Sequence, residues 1–285
     1  MRERSATPGN MPESAAKLSI ITTCKGRLNH LQQTLPAMAC QPDVEVVVVD
    51  YDCPEGTADW VKRHYPSVNT VKVENRPAFN ICHGRNLGAA AASGGWLCFM
   101  DADVRPDPGF SGHVAQRLEA GRFYTVSPFV PDMYGTCIIP REAFHRVGGY
   151  DEVMEPWSYD DKDMYVRLKE MGLVQDHYPA ALLTAIKHDD AARMQFTDGD
   201  DRWDTMRRNA FYHHAKLLLT RALGAPLDED TRRRLYAEIK RVIAGTPDRS
   251  EITIRLPDIA SREVAPGRRI EASIVVALQR DDFSR

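Results

Sequence analysis

NICHGRNLGAAAASGGWLCFMDAD, residues 80–103, holds an Ala-rich helical stretch at 83–92 and then WLCFM at 96–100, an apolar strand that runs directly into Asp101. Working outward, KLSIITT (17–23) and VEVVVVD (44–50) are β-branched apolar runs, as expected for strands buried on both faces of a sheet. Between them Leu28, Leu31, Leu35 and Met38 recur at helical spacing, residues 58–64 continue similarly, and 70–73 supplies a third short strand. This alternation predicts an α/β fold, a mainly parallel sheet with helices on both faces.

After Asp101 the pattern changes. Pro106, Pro108, Pro128, Pro131 and Pro140 interrupt the middle region, so the regular winding is expected to stop. Helices are expected over 113–120 and 159–171, closed by Gly121 and Gly172, and a strand over 181–186. Two amphipathic helices, 202–223 and 228–244, read as a packing appendix, and the alternation at Ile252/Ile254/Leu256 and Ile270/Ala272/Ile274/Val276/Leu278 predicts a β-hairpin. The polar, Pro- and Gly-containing stretch 1–16 reads as a flexible tail, without the apolar region of a secretion signal.

The 285 residues are 43% hydrophobic and 27% charged, the composition of a globular chain able to build a core. A net charge of −3 lacks the basic excess that drives nucleic-acid binding, so nucleic acid is not an expected partner. Apolar runs such as 46–49 and 87–92 fall far short of the roughly 20 residues that span a bilayer. Six scattered cysteines form no CxxC pair; reduced thiols and a cytoplasmic location are expected.

In a wound parallel sheet, ligands bind beyond the carboxyl ends of the strands. Those ends are Thr22, Thr23 and Cys24; Asp50, Tyr51 and Asp52; and Asp101, Ala102 and Asp103. Asp101 and Asp103 alternate along an extended segment and so share a face. Two carboxylates held that close favour a cation between them, and a hard ion such as Mg²⁺ or Mn²⁺ usually binds one or two carboxylates together with substrate phosphates. A solvated turn is the other reading of both acidic pairs. A second cluster is GGYDEVMEPWSYDDKD (148–163): Ser158 as a helix cap places Asp160 and Asp161 in the first turn, and an ionised carboxylate there suits a general base, although a capping pattern alone also explains it. His188, at the end of the strand expected over 181–186, is either a surface residue or a further metal ligand. Arg85 opens the helix before the fourth strand, where it could meet pyrophosphate.

Together these segments resemble the nucleotide-sugar glycosyltransferases of the GT-A fold, in particular family 2. SIITTCKGR, VEVVVVDYDCPEGT, NICHGRNLGAAAASGGWLCFMDAD, GTCIIPREAFHRVGGYDE and WSYDDKDMYVRLKEMG are similar to successive motifs of that family, in order and spacing, over residues 17–190. The stretch 148–163 also resembles the carboxyl half of galactosyltransferase-type enzymes, which carry a late histidine where His188 stands. The resemblance implies a Rossmann-like GT-A catalytic domain at 17–190, with a nucleotide half at 17–103 and an acceptor half at 104–190, followed by a C-terminal extension at 191–285.

The resemblance further implies a UDP-sugar donor, a Mn²⁺ or Mg²⁺ cofactor, and a glycan or small-molecule acceptor. Asp103 would bind the metal, Asp101 the ribose or a metal-bound water, and His188 would complete the metal shell. Asp50 or Asp52 would contact uracil or ribose, Arg85 the base or diphosphate, and Thr22, Thr23 and Cys24 would line the base pocket. Asp161 would be the catalytic base, with Asp160 where the family usually has Glu, and transfer would invert the anomeric centre. Two departures stand out: Asp50-Tyr51-Asp52-Cys53 replaces the usual Asp-Asp-Gly-Ser, and Ser158-Tyr159 replaces the Gly-Gly of the galactosyltransferase type. The rival readings are a sugar-1-phosphate nucleotidyltransferase, against which the glycine-poor 22–27 stretch counts, and a sugar-nucleotide or glycan-binding subunit without turnover.

Overall fold

A computed structural model describes residues 18–155, 158–187, 195–196, 202–245, 251–255, 262–265, 268–270 and 273–277. These fall into two compact units. The first takes the described residues within 18–79, 83–150 and 165–187, the second those within 80–82, 151–164 and 195–277.

In the first unit, β1 (Leu18–Cys24), α1 (Leu28–Ala39), β2 (Val44–Tyr51), α2 (Thr57–His64), β3 (Asn69–Val73), α3 (Ile81–Ala91) and β4 (Trp96–Phe99) alternate as expected. β5 (Val104–Pro106), α4 (Phe110–Ala115), β6 (Arg122–Ser127), β7 (Cys137–Pro140), α5 (Arg141–Arg146), α6 (Asp160–Glu170, of which 160–164 count with the second unit), β8 (Val174–Pro179) and β9 (Leu183–Ala185) follow. Seven strands form the main sheet, in the order β3-β2-β1-β4-β7-β6-β8. β1 pairs in parallel with both β2 and β4, inside the sheet, and every one of its residues is buried. On one flank Leu31, Leu35 and Met38 of α1 are fully buried. On α3, glycines allow close approach: a Cβ on Gly88 would stand 2.3 Å from Ile21 Cγ2, and one on Gly84 2.9 Å from Thr23 Cγ2.

The regular parallel winding ends after β4, as expected, while the sheet itself continues through strands that were not foreseen. β7 runs antiparallel to β4, with Phe99 opposite Cys137, and β6 runs antiparallel to β7 and parallel to β8. Pro128 directly follows β6 and Pro140 is the last residue of β7, so prolines that read as loop signals instead bound two short strands. These reversals bring the carboxyl ends of β1, β2, β4 and β6 to one edge. The helix expected at 113–120 is shorter and starts three residues earlier, as α4, with Phe110 and Val114 among the side chains it buries. The strand expected at 181–186 is shorter: a 3₁₀ turn, Ala180–Leu182, precedes β9, which pairs antiparallel with β5.

In the second unit, α7 (Arg202–Leu223) spans the range read from its sequence, and α8 (Glu229–Ala244) begins after an Asp228 cap whose carboxylate accepts from the Thr231 N–H at 2.7 Å. α8 buries Leu235, Ile239 and Ile243. Beyond it lie β10 (Glu251–Arg255), β11 (Arg262–Ala265), β12 (Arg268–Ile270) and β13 (Ser273–Ala277). The expected hairpin is β10 against β13, with Ile252 opposite Val276 and Ile254 opposite Ile274; an inner pair, β11 with β12, was not foreseen. No described helix is long and apolar enough to cross a membrane.

Candidate active site

The carboxyl ends of β1 and β2 are tied together by polar groups. Asp50, 2% exposed, accepts from the backbone N–H of Cys53 at 2.8 Å and of Ala58 at 2.6 Å, the latter in the first turn of α2. Asp52 has a left-handed φ of 49° and accepts from the Arg76 N–H at 2.9 Å. The buried Lys25 ammonium donates to the carbonyls of Tyr51 (3.2 Å), Asp52 (2.8 Å) and Arg76 (2.9 Å). Asp50 therefore serves the loop and the helix cap, while Asp52 keeps a side chain 38% exposed. Thr22, Thr23 and Cys24 are all buried, and Thr22 Oγ1 has no hydrogen-bond partner among the described residues. The Thr57 hydroxyl donates to Cys24 Sγ at 3.3 Å, and the Gly26 N–H to Cys53 Sγ at 3.2 Å. None of the six cysteines forms a disulfide.

Beyond β4, Asp101 and Asp103 each hold a guanidinium. Arg85, on α3 and 3% exposed at its side chain, donates to Asp101 Oδ1 at 3.0 Å and sits 4.9 Å from the centre of the Tyr150 ring. Arg27 donates to Asp103 Oδ2 at 2.7 Å. The backbone around the pair is fixed: the Thr34 hydroxyl donates to the Ala102 carbonyl at 2.8 Å, the Val104 N–H to that of Asp101 at 3.0 Å, and the Ile186 N–H to that of Asp103 at 2.8 Å. Asp103 is nearly buried, whereas the Asp101 side chain is 33% exposed. Two hard carboxylate oxygens suit a divalent cation whose remaining ligands come from a diphosphate. No group of three or more His, Cys, Asp or Glu able to hold a metal occurs among the described residues, and His188 lies outside them.

The acidic stretch belongs to the second unit. The Asp163 N–H donates to the Tyr159 carbonyl at 2.8 Å, so the cap position of α6 falls on Tyr159 and not on Ser158. Both residues take left-handed φ values, 84° and 66°. Asp160 and Asp163 are buried and Asp161 is half-buried. Around them α7 presents Asn209, Tyr212, His213 and Lys216, spaced to share one face. Lys216 Nζ lies 2.7 Å from both Asp151 Oδ2 and Asp163 Oδ1. Tyr212 donates to Asp151 at 2.8 Å, His213 Nδ1 to Asp163 at 2.9 Å, and Arg232 of α8 pairs with Asp151 as well. Burial alone would push the Asp151 carboxyl up, but Lys216 and Arg232 hold it below the usual carboxylate value. Tyr212 is raised, by burial and then by Asp151, and Tyr236 is pushed up to about 12, mainly by burial.

Sequence reasoning missed Arg27, Tyr150 and this face of α7. The signal was present: Asn209, Tyr212, His213 and Lys216 form a polar stripe at helical spacing, which reads equally well as a solvated face.

A wound sheet with a carboxylate pair after its fourth strand, continued by reversed strands, is the GT-A architecture of glycosyltransferases. Residues 19–157 match the family Glycosyl transferase family 2, and residues 131–189 match the N-terminal domain of galactosyltransferase. The chain is accordingly a glycosyltransferase that carries a family 2 domain. No curated protein matches it. Among solved structures, S. aureus TarS 1–349 superposes with a TM-score of 0.55 at 15% identity over 81% of this chain and 72% of that one. The same protein in complex with UDP-GlcNAc gives 0.58 at 15% identity, over 78% and 72%. The mannosyltransferase PcManGT from Pyrobaculum calidifontis, in complex with GDP-Man and Mn²⁺, gives 0.52 at 16%, over 81% and 75%. At these identities the likeness concerns the fold.

Proposed function

We propose that this chain transfers a sugar from a UDP-sugar to an acceptor hydroxyl, with a divalent cation, Mn²⁺ or Mg²⁺, and with inversion at the anomeric carbon. The observation that carries the reading is the Asp101/Asp103 pair directly after β4, backed by Arg85 and Arg27. Asp103 and Asp101 would hold the cation, with His188 as a further ligand, and the cation would neutralise charge on the departing diphosphate. Arg85, already desolvated over Tyr150, would meet the diphosphate when Asp101 turns to the cation. Thr22, Thr23, Cys24 and Asp52 would border the nucleoside; Asp50 has its carboxylate committed to Cys53 and Ala58 and would shape the pocket from behind.

Asp161 would take the proton of the acceptor hydroxyl as that oxygen attacks, with Asp160 beside it. Two structural neighbours, with UDP-GlcNAc and with GDP-Man and Mn²⁺, lend support to a nucleotide-sugar donor and a divalent ion in general. UDP is preferred on the resemblance of the sequence motifs. Six cysteines without a disulfide suit a reducing compartment, and the cytoplasm is the proposed setting.

UDP release from UDP-sugars tests the reading. Asp161→Asn should lower kcat by about 10² to 10⁴, the usual contribution of a general base, with UDP affinity unchanged. Equal turnover in wild type and variant would remove Asp161 from the mechanism, and an NMR assay finding the anomeric configuration retained would overturn inversion.

A further inference from the structure

Four buried polar side chains on one helix face, Asn209, Tyr212, His213 and Lys216, bound to the buried carboxylates of Asp151 and Asp163, call for a reason other than stability. Replacing buried ion pairs with apolar residues is often neutral or stabilising, so such clusters are poor evidence of a stability role. Besides Tyr236 of α8, whose hydroxyl lies 2.9 Å from Asn209 Oδ1, the α7 face takes partners from one stretch of chain, 151–163. Lys216 and Tyr212 bind Asp151 at its start, the Asn209 amide donates to the Ser158 carbonyl at 2.9 Å in its middle, and His213 and Lys216 bind Asp163 at its end. From α8, the Tyr236 hydroxyl donates to the Glu155 carbonyl at 2.8 Å and accepts from the Glu155 N–H at 3.2 Å. Asp161 lies between the Ser158 and Asp163 anchors, separated by Asp160 from Ser158 and Tyr159, which both take left-handed backbone conformations. Such conformations persist where the surroundings over-determine them.

We propose that Lys216 and His213 are positioning residues for the transfer reaction: by gripping Asp163 and Asp151 they fix the first turn of α6 and so the carboxylate of Asp161. The proposal rests on the reading of Asp161 as the base. Lys216 and Arg232 together supply two positive charges to the buried carboxylates of Asp151 and Asp163. The C-terminal helices are thereby part of the catalytic apparatus and not a packing appendix. A base must be held to within a fraction of an ångström, and a displacement of about 1 Å can cost roughly 100-fold in rate.

The test uses the full chain and three readouts. These are UDP release with water as acceptor, from UDP-glucose, UDP-galactose or UDP-N-acetylglucosamine; UDP affinity; and amide exchange at 158–163. Lys216→Met and His213→Leu should lower kcat about 100-fold with UDP affinity unchanged, and exchange at 158–163 should quicken. His213→Gln, which keeps a donor for Asp163, should restore most of the rate. In an Asp161→Asn background neither substitution should lower the residual rate further, which is the coupling that a purely structural role would not produce. Folded variants with wild-type kcat or unchanged exchange would overturn the proposal. So would a loss of rate that adds in full to that of Asp161→Asn.

If Lys216→Met fails to fold, His213→Leu, which leaves both Lys216 ion pairs in place, decides. If Asp161→Asn is as active as wild type, or the wild type cleaves no donor, the base reading fails by itself, and exchange at 158–163 alone decides whether α7 fixes the segment.

Discussion

The half-buried Cys53 thiol is pulled toward the thiolate by its neighbours. A hydrogen bond from Cys24, opposed by burial and aided by Thr57 and by the N–H groups of Glu55 and Gly26, pulls its pKa from 9.0 down to about 6. Cys24 is pushed the other way, first by its bond to Cys53 and then by burial. Iodoacetamide should therefore label Cys53 at a nearly constant rate down to about pH 6 and about tenfold more slowly per pH unit below it, while Cys24 stays unlabelled. A labelling midpoint near pH 9 would contradict this. Because the folded pKa is depressed, the stabilisation from this thiolate is complete above the unfolded value and is lost as the pH falls through about 6. At Gly88 the constraint is steric: a Cβ would stand 2.3 Å from Ile21 Cγ2 and 3.1 Å from Val49 Cγ2. Gly88→Ala should destabilise the fold by about 1–3 kcal/mol despite the better helix propensity of Ala, and an unchanged melting temperature would refute the close approach.

Among the elements, α2 depends on a cap that its own first residues do not supply. Its N-cap is Gly56, with φ 70° and no side chain, and Asp50 provides the acceptor from the end of β2. Asp50→Ala would strand two backbone donors and should cost about 1–3 kcal/mol in denaturant unfolding, with Asp50→Asn milder; no loss would return Asp50 to a purely nucleoside-binding role. That double use could not be read from VEVVVVDYD, since adjacent carboxylates in a sequence do not reveal which one turns to the backbone. The βαβα beginning was legible from continuous apolar strand runs and helical spacing between them, and α8 and the outer hairpin from apolar residues at periods of 3.6 and 2. β6, β7 and β8 were not: RFYTVS, CIIP and VQDHYP are short and mixed, and their place comes from sheet pairing. In the same way the Asp101/Asp103 pair was legible from its position after a buried strand. The grip of α7 on Asp151 and Asp163 joins residues about 50 to 65 positions apart, a separation at which a single sequence carries no pairing signal.

At the scale of the molecule, charge and ligand binding give separate handles on the two units. Asp151 is held below the usual carboxylate value against its own burial, so its contribution to stability is present above about pH 4 and disappears as the pH falls through its folded value. Amide exchange on α7 should accelerate below that pH, and protection persisting to pH 2 would contradict the Lys216 and Arg232 pairing. The central claim, metal-assisted UDP-sugar binding at the edge beyond β4, is tested most directly by thermal unfolding with UDP, with and without Mn²⁺, in wild type and Asp103→Ala. Stabilisation of about 2.7 kcal/mol is expected at a UDP concentration roughly 100 times its Kd. The account predicts that this stabilisation needs Mn²⁺ and vanishes in Asp103→Ala. UDP stabilisation that is indifferent to both the ion and the substitution would leave Arg27 and Arg85 as the lasting partners of the two aspartates and contradict a metal-dependent donor site.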